Sequence, residues 1–566
     1  QGLTGMADRD LASIAEARAL AHRAKQAWLE LAEFDQGRID AIVDAMAAAA
    51  AGHAEAFARL AVEETGYGVV ADKVQKNLFA AVKVHQFIRP MRTVGVIARH
   101  EATRVVEIAA PFGVVAAIVP STNPTSTAIY KILIAIKARC AIVISPHPSA
   151  VRCITRVAEV MDAAARGVGA PEGAIGWMST VTLEGTQELM KHRDVAVILA
   201  TGGMGLVRAA YSAGKPAYGV GPGNAPAYIE RTADLKKAVR DIVTGKTFDN
   251  GVLCSSENSV VVDEPVAETV KREFEAQGGH FMSRPDADAV ARVLVTPARL
   301  PNPALVGKSA AVIARTCGIS VPAGTRVLIA ELDGVGREYP LSIEKLCPVL
   351  SFYIVKDWHD GCERCMEILR YGGMGHTMSI HSKNEEVILQ FALKKPAFRI
   401  LVNTPTTHGS IGLTTGLDPA MTLGCGGYGG NITSDNISPR HLLNIKRLAY
   451  ETTPATVRFE AGEAAKIVEP VAAADSEPLD SRIAAFLGAR GYVAPASPGV
   501  APVAANSVSP AGPPAPAAEP LDFVCEEDVR RAIEQGRKLL LAERAIVTPS
   551  ARDLGEAHRI FSVATY

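Results

Sequence analysis

The sequence predicts an α/β protein with a doubly wound parallel sheet and a second α/β region. Three short runs rich in valine and isoleucine alternate with helical text: GVVAAIVPST (113–122), CAIVISPHP (140–148) and VAVILATGG (195–203). Each is too short for a free-standing helix and ends in small or polar residues, as buried strands do. Strands that alternate with helices favour a parallel sheet covered on both faces, with ligands beyond the strands' carboxyl ends. We therefore expect the loops PSTNPT, SPHPS and TGGMG to line a site.

Other stretches complete this architecture. Residues 10–65 are rich in alanine, leucine and glutamate, with apolar positions at helical spacing. In RTVGVIARHEATRVVEIAA (92–110) apolar and polar residues alternate, which predicts a protruding hairpin. A second alternating region, 227–424, contains Cys254.

After about Arg458 the composition changes. Residues 493–520, VAPASPGVAPVAANSVSPAGPPAPAAEP, are too poor in large apolar groups for a core and predict a flexible linker. A short amphipathic helix is expected on each side of it. Their apolar stripes are Leu479, Ile483, Phe486 and Leu487 before the linker, and Val529, Ile533, Gly536 and Leu540 after it.

The composition is that of a globular protein, with 48% hydrophobic and 21% charged residues. A net charge of -1 gives no argument for nucleic acid or an anionic membrane as a partner. No apolar run reaches the roughly 18 residues that span a bilayer, and no signal-peptide pattern opens the chain. Nine cysteines without regular spacing indicate reduced thiols in the cytoplasm, and we expect no metal site.

The stretch FDNGVLCSSENSV (248–260) places Cys254 among glycine, hydroxyl, amide and carboxylate residues. A cysteine nucleophile that attacks a carbonyl needs donors for the oxyanion it creates. The backbone N–H of Cys254 is one candidate donor, and the amide of Asn123 in PSTNPT is another. Each signal is weak by itself, because most cysteines lie in cores and most loop asparagines are turn residues.

Together these segments resemble the coenzyme A-acylating branch of the aldehyde dehydrogenase superfamily. The matching motifs, in chain order, are ETGYG, PSTNPTST, SPHPSA, TGGMGLVRAAYSAGKPA, GVGPGNAP, FDNGVLCSSENSV, EKLCPVLSFY, YGGMGHTMSIHS and GCGGYGGNITSDNISPRHLLNIKR. The resemblance runs from about residue 10 to 455 and implies an NAD-binding doubly wound sheet with a second, catalytic α/β domain. The expected regions are an NAD- and CoA-binding domain (6–91 and 111–226), a catalytic domain (227–423), an oligomerisation element (92–110 and 424–458), a linker with a short helix (459–521) and a C-terminal helical extension (522–566).

The resemblance also assigns roles. Cys254 matches the nucleophile, which forms a thiohemiacetal with the aldehyde and becomes a thioester when hydride passes to the nicotinamide. Asn123 matches the amide that holds the oxyanion together with the Cys254 N–H. Glu344 matches the carboxylate that holds the nicotinamide ribose; the alternative is a solvated surface glutamate. The expected cofactor-binding residues are Ser121, Thr122, Pro146, His147, Thr201, Gly202, Gly203, Val220, Gly221, Glu344 and Pro348.

NAD is the expected cofactor, because no basic residue obviously awaits the 2′-phosphate of NADP. The turn at 201–203 is expected to face its pyrophosphate, where glycine permits close approach. CoA is the expected co-substrate and is expected to enter the space that NADH leaves. His147, near the adenosine end, is expected to pack or face solvent rather than take part in chemistry.

One departure from hydrolytic relatives concerns the second nucleophile. In those enzymes the segment matching GVGPGNAP carries a glutamate that activates water, and the shared G-x-x-P places Val220 at that position. Valine cannot accept a proton, so general-base assistance worth about 10²–10⁴-fold would be missing. A thiol such as CoA needs little help, since part of it is thiolate near neutral pH.

The aldehyde is expected to be short and neutral, since no cluster of Arg or Lys stands out around Cys254. Leu253, Met378 and Ile432 favour acetaldehyde or propionaldehyde over sulfoacetaldehyde. Ile432 and Thr433 are expected to border the aldehyde pocket. His376 is a candidate for a proton relay or for substrate positioning, although a lone histidine is more often structural.

In the tail, LDSRIAAFLGARG (479–491) has the amphipathic form of an encapsulation helix, and AIVTPSARDLGEAHRIF (545–561) is similar to a segment that recurs in enzymes packed inside bacterial microcompartments. This resemblance implies a luminal location, shell proteins as partners and a preference for propionaldehyde. The family implies a homo-oligomer, either a dimer or a tetramer. Two alternatives stay open: a hydrolytic enzyme that uses Cys254, and a non-catalytic shell-packing protein, against which the intact Cys254, Asn123 and Glu344 argue.

Overall fold

A computed structural model describes residues 2–455, 521–524, 526–547, 551–552, 554–555, 558 and 560–563. The chain divides into two compact units, Gln1–Val457 and Arg458–Tyr566. No helix among the described residues is long and apolar enough to cross a membrane.

The first unit alternates helices with strands. Its helices are α1 (Gly2–Leu31), α2 (Gln36–Gly52), α3 (Ala54–Thr65), α4 (Val70–Leu78), α5 (His85–Ile88), α6 (Pro124–Lys137), α7 (Val151–Gly167), α8 (Leu183–Lys191), α9 (Met204–Tyr211), α10 (Leu235–Thr247), α11 (Glu264–Ala276), α12 (Arg284–Leu294), α13 (Ala310–Thr316), α14 (Trp358–Tyr371), α15 (Glu385–Leu393) and α16 (Thr406–Ser410). Its strands are β1 (Gly95–His100), β2 (Val105–Pro111), β3 (Val114–Val119), β4 (Ala141–Pro146), β5 (Ile175–Trp177), β6 (Val195–Thr201), β7 (Ala217–Val220), β8 (Ala225–Ile229), β9 (Glu257–Asp263), β10 (Gly279–Phe281), β11 (Val327–Glu331), β12 (Val349–Val355), β13 (Gly375–His381), β14 (Ala397–Val402) and β15 (Leu443–Ala449).

Two parallel sheets organise this unit. The five-stranded sheet has the order β5-β4-β3-β6-β7, so the chain leaves β3 on one side and returns on the other at β6. A crevice therefore opens beyond the carboxyl ends of β3 and β6, where ligands bind in such sheets. The seven-stranded sheet has the order β10-β11-β12-β9-β8-β13-β14. The predicted fold class is confirmed.

The core explains why the predicted strands read as continuous apolar runs. Every residue of β3, β4 and β9 is buried, because helices cover both faces of the parallel sheets. Every residue of α6 is buried as well, so this helix shows no solvent-facing stripe. These rigid elements fix the ends of β3 and β9, which carry the loops of the candidate site.

A small antiparallel sheet has the order β1-β2-β15. The segment predicted as a hairpin forms β1 and β2, with Gly95 opposite Ala109 and His100 opposite Val105. The strand β15 pairs along the other edge of β2, from Leu443 opposite Pro111 to Ala449 opposite Val105.

In the second unit the structure differs from the predicted helical extension. Its described elements are β16 (Leu521–Val524), α17 (Glu526–Glu534), β17 (Leu539–Val547) and β18 (Phe561–Val563), with β17 central in a parallel sheet. Gly536 (φ +61°) follows the end of α17, so the predicted stripe breaks there and Leu540 lies in a strand. The physical reason is that LLLAERAIV pairs with β16 and β18, which outweighs the helical spacing. The predicted helix around Ile483 and the linker lie outside the described residues.

Candidate active site

The main cavity lies at the carboxyl ends of the five-stranded sheet and has a volume of about 480 Å³. The loops after β3, β4, β6 and β7 form one side, and the segment before β9 forms the other. The predicted site residues that line it are Ser121, Thr122, Asn123, Pro146, His147, Thr201, Gly202, Gly203, Val220, Gly221, Cys254 and Glu344. Residues from four separate loops therefore meet at one cavity, as the carboxyl ends of parallel strands require.

Cys254 follows a tight turn at Phe248–Gly251 and precedes β9. Asp249 and Asn250 in this turn have φ angles of +50° and +53°, a left-handed conformation that Asp and Asn tolerate better than most residues. Burial raises the pKa of the Cys254 thiol to about 12, and the nearby Glu344 carboxylate adds to the shift. The thiol is therefore protonated near neutral pH in this form of the protein.

Asn123 ends the β3 loop and directly precedes α6. Its Oδ1 accepts a hydrogen bond of 2.6 Å from Lys76 Nζ. Its Nδ2 donates to Thr122 Oγ1 at 3.2 Å and, over a longer 3.4 Å, to the carbonyl of Val252. The amide N–H groups thus face the segment that carries Cys254, where an oxyanion donor would be needed.

Glu344 lines the cavity and is half-buried. Its Oε1 accepts a 3.0 Å hydrogen bond from the backbone N–H of Gly223. Burial raises the pKa of Glu344 to about 7, opposed by that N–H and by the buried Lys246 and Lys345 ammonium groups. Among the described residues that line the cavity, Glu344 is the one carboxylate, and neither Lys nor Arg is present. The position of Glu344 in the cavity lining argues against the alternative of a solvated surface glutamate.

Val220 is the last residue of β7 and forms part of the cavity wall. It pairs in register with Thr201, the last residue of β6. The cavity wall at this position is therefore aliphatic. The hydroxyl Oγ1 of Thr201 is buried and has no hydrogen-bond partner among the described residues.

His376 does not line the main cavity. It lies at the start of β13 and is 1% exposed, and its Nδ1 pairs with Thr377 Oγ1 at 2.9 Å. Its Nε2 has no partner within the described chain. Burial and the charge of Arg399 lower the pKa of His376 to about 3, so the ring is neutral near physiological pH. A relay through an imidazolium is disfavoured on this ground.

Three further expectations do not match the main cavity. Ile432 and Thr433 instead line a smaller cavity, which also contacts Val220. The Gly426 N–H donates to the Thr433 carbonyl at 2.9 Å, so the loop folds back on itself. Met378 is fully buried in the core of the second sheet. Pro348 lies beside β11, where its carbonyl accepts from the Leu328 N–H at 3.0 Å.

A second cavity, of about 290 Å³, shares Ile411 with the main one. Its lining is mostly apolar, with Lys76 and Phe248 on the side of Asn123 and Cys254. The remaining lining residues are Gln75, Leu78, Phe79, Val82, Lys83, Gln86, Thr407, His408 and Leu413. Nothing in the sequence pointed to this cavity except the position of Phe248 in FDNGVLC.

Sequence reasoning also missed Lys76, Asp249 and Arg399. Arg399 is buried on β14 and donates to the carbonyl of Gly424 and to Asn436 Oδ1. Its charge favours the thiolate of Cys254 and opposes the effect of burial. A signal was present, because AFRILV places one charged residue in an otherwise apolar strand, and buried charges are rare unless paired.

Comparisons with known proteins show the family to which the chain belongs. The model of the aldehyde dehydrogenase family matches residues 3–288. The bifunctional aldehyde-alcohol dehydrogenase of Escherichia coli (strain K12) is 42% identical over 462 residues, which are 80% of this chain and 52% of that protein. The chain thus spans about half the length of this relative.

Two solved structures are similar over most of the chain. An acetylating aldehyde dehydrogenase from Geobacillus thermoglucosidasius is 50% identical with a TM-score of 0.78, over 79% of this chain and 99% of that one. A propionaldehyde dehydrogenase from the Clostridium phytofermentans fucose utilisation bacterial microcompartment is 28% identical with a TM-score of 0.69, over 77% and 98%. The chain belongs to the aldehyde dehydrogenase family.

Proposed function

We propose that this protein is a CoA-acylating aldehyde dehydrogenase that converts a short neutral aldehyde, NAD+ and CoA into acyl-CoA, NADH and a proton. The observation that carries the proposal is that Cys254 and Asn123 meet in one cavity whose wall, at Val220, is aliphatic. A nucleophile and an oxyanion donor are both present, whereas a base at Val220 is not.

Cys254 carries the acyl group in this mechanism. The thiol proton is released to water, the sulfur bonds to the carbonyl carbon, and the oxygen becomes an oxyanion. The Nδ2 group of Asn123 and the Cys254 N–H donate to that oxygen. NAD+, when bound, supplies the acceptor for the hydride that leaves the same carbon. Cys254 then holds a thioester, and its sulfur leaves as the thiolate when CoA takes the acyl group.

The cavity fits a dinucleotide at its other end. The turn at 201–203 lines the cavity and leads into the N-terminus of α9, and backbone N–H groups at a helix N-terminus favour a phosphate group. No cation in the described lining is available for a 2′-phosphate, which favours NAD over NADP. CoA would use the same space after NADH leaves. The second cavity would receive the alkyl chain of the aldehyde.

The test is NADH formation from acetaldehyde, propionaldehyde and sulfoacetaldehyde, each with and without CoA and with NAD+ or NADP+. We expect the two neutral aldehydes and NAD+ to be preferred, and turnover to require CoA. Equal rates without CoA would favour a hydrolytic enzyme, for which Glu344, in the same cavity as Cys254 and with a raised pKa, is a candidate base. No activity with any short aldehyde would favour a shell-packing protein.

We further propose that the enzyme works in the cytoplasm, inside a microcompartment, and that its C-terminal region binds the shell. Support comes from the amphipathic pattern around Ile483 and from the relative found in such a compartment. A reporter fused to residues 475–566 should sediment with shells, whereas one fused to 521–566 should not if the Ile483 segment is responsible. Reporters that both stay diffuse would refute the proposal.

The sheet β1-β2-β15 is proposed to join copies of the chain into a dimer or tetramer. Leu448 is 47% exposed and Tyr450 52% exposed at the end of β15, an apolar edge suited to burial by a second copy. Light scattering should show an oligomer for the whole protein and a smaller species for L448D/Y450D. A monomeric unmodified chain would contradict this assignment.

A further inference from the structure

A buried cluster of charged residues lies behind the candidate oxyanion site. It comprises Asp72, Lys73 and Lys76, which lie on α4, and Asp249, which lies in the turn before Cys254. The side chains of Lys73 and Lys76 are each 2% exposed, and that of Asp249 is fully buried. Buried charges are costly, and ion pairs of this kind are better explained by the geometry they impose than by stability.

Lys76 fixes which way the amide of Asn123 points. An ammonium group can only donate hydrogen bonds, so its partner over 2.6 Å must be Oδ1 of Asn123 rather than Nδ2. The flipped amide would place N–H groups against an ammonium and lose this bond. The NH2 group of Asn123 is therefore directed toward Val252 and the Cys254 segment.

Asp249 in turn holds Lys76. Its Oδ2 accepts from Lys76 Nζ, and from Lys73 Nζ at 3.0 Å. Its Oδ1 accepts from the Val69 N–H, and its own N–H donates to Asp72 Oδ2, each at 2.7 Å. The carboxylate thus ties the turn before Cys254 to the first turn of α4.

The backbone conformations of Gly68 and Asp249 both accommodate the Asp249 carboxylate. Gly68 has φ +79°, and a Cβ placed there would lie 1.9 Å from Asp249 Oδ1. Asp249 itself adopts the left-handed conformation, which is costly unless the surroundings fix it. Lys73 adds a further link, because its Nζ donates to the carbonyl of Thr122 at 3.2 Å.

We propose that Lys76, held by Asp249, is a positioning residue for the oxyanion: it orients and polarises the Asn123 amide, and α4 sets the placement of that amide relative to Cys254. The inference rests on the proposed function of Asn123. An ammonium on Oδ1 draws electron density from the amide and strengthens its N–H donors. The role of Lys76 is then exerted only through Asn123, which a double-mutant cycle can detect.

The experiment measures kcat for NADH formation with N123A, K76M and N123A/K76M. Loss of one oxyanion donor costs about 10²–10³-fold, and a misplaced group about 10²-fold. We expect N123A to fall in the first range, K76M to lose about tenfold or more, and the double variant to be no slower than N123A. The KM for CoA should be unchanged in K76M.

A matched control separates positioning from general damage. Lys137 is also a buried lysine paired with an aspartate, Asp40, but lies at the opposite end of α6 from Asn123. The fold loss in kcat of N123A/K137M should equal the product of the fold losses of N123A and K137M, whatever the size of the latter. Thermal midpoints of all variants show whether they are folded. If K76M is unstable because Asp249 has lost one of its two lysine partners, K76M/D249N is measured in its place.

The outcomes discriminate clearly. Losses of N123A and K76M that multiply would overturn the inference while leaving the proposed function intact. Recovery of the full rate in K76M/D249N would also overturn it, because the defect would then come from the loss of one of the two lysine partners of Asp249 and not from the lost bond to Asn123. If N123A keeps the full rate, the oxyanion role in the proposed function fails first.

Discussion

The backbone N–H of Gly223 donates to Oε1 of Glu344 over 3.0 Å, and the two residues are 121 positions apart in the chain. This contact holds a carboxylate at the edge of the cavity that contains Cys254. Gly223 is also close to the nucleophile segment, since a Cβ on it would lie 2.2 Å from the Cys254 carbonyl oxygen. Gly223 therefore lies against the carboxylate of Glu344 and against the backbone of Cys254.

Cofactor affinity should depend on the ionisation of Glu344. Because its pKa is about 7, the carboxyl is protonated below that pH and ionised above it. A protonated carboxyl accepts poorly from ribose hydroxyls, so we expect the Kd for NAD+, measured by calorimetric titration, to increase as the pH falls from 8 to 6. In E344Q the Kd for NAD+ should be larger and should not depend on pH. An equal pH dependence in both proteins would contradict a ribose-binding role for Glu344.

The raised pKa of Glu344 should also make the protein less stable as the pH rises. The folded-state pKa of Glu344 lies above its ordinary value of 4.5, so the folded protein binds more protons than the unfolded chain between pH 4.5 and 7. The contribution of this group to stability is thus present below pH 4.5 and is lost as the pH rises to 7. The thermal midpoint of E344Q relative to the unmodified protein should rise across that window.

Cys254 should react slowly with alkylating reagents. With a thiol pKa of about 12, the thiolate fraction rises about tenfold per pH unit through the neutral range. Alkylation by iodoacetamide, located by peptide mass spectrometry, should therefore increase from pH 6 to 9 without levelling off. A plateau near pH 8 would show a lower pKa. C254A, labelled in parallel, should lack this site and form no NADH.

A carboxylate at Val220 should restore the use of water. In V220E the new side chain would enter the cavity wall where a general base is otherwise missing. We expect the ratio of NADH formed without CoA to that formed with CoA to rise by up to about 10²-fold. V220Q, which is similar in size but cannot act as a base, is the control. An equal rise in both variants would attribute the change to shape alone.

Gly223 should not tolerate a side chain. In G223A the added methyl would clash with the Cys254 carbonyl and contact the His376 ring at 3.3 Å. We expect a loss of about 1–3 kcal/mol in the free energy of unfolding, as for other overpacked sites, together with a lower kcat. G205A, in the open part of α9, is the control and should be neutral or slightly stabilising. Comparable denaturation midpoints for the two variants would contradict the contact.

Much of the fold followed from local patterns. The three apolar runs became β3, β4 and β6, because a strand buried on both faces must be apolar at every position. The tail was harder to predict. Leu540 fits an apolar helical spacing, yet LLLAERAIV pairs with two other strands in a sheet. Such pairing cannot be predicted from the sequence of one segment.

The site shows the same division. Asn123, Cys254 and Glu344 stand in recognisable motifs, and the structure places all three around one cavity. The link between Lys76 and Asp249 spans 173 positions and depends on how α4 meets a turn, so it could not be read from either segment alone. Ile432 was misplaced because hydrogen bonds within its own loop, not its apolar character, decide which way it faces.

The helix α4 has a consequence for how substrate range can evolve. It forms one wall of the second cavity through Gln75 and Leu78, and its position is fixed by the ion pairs to Asp249. The opposite wall, at Thr407 and Leu413, belongs to another segment of the chain. If the second cavity receives the alkyl chain, as proposed, substitutions on that wall would alter the aldehyde that fits without touching the hydrogen bonds of α4. Substrate range and catalytic geometry could then change independently in evolution.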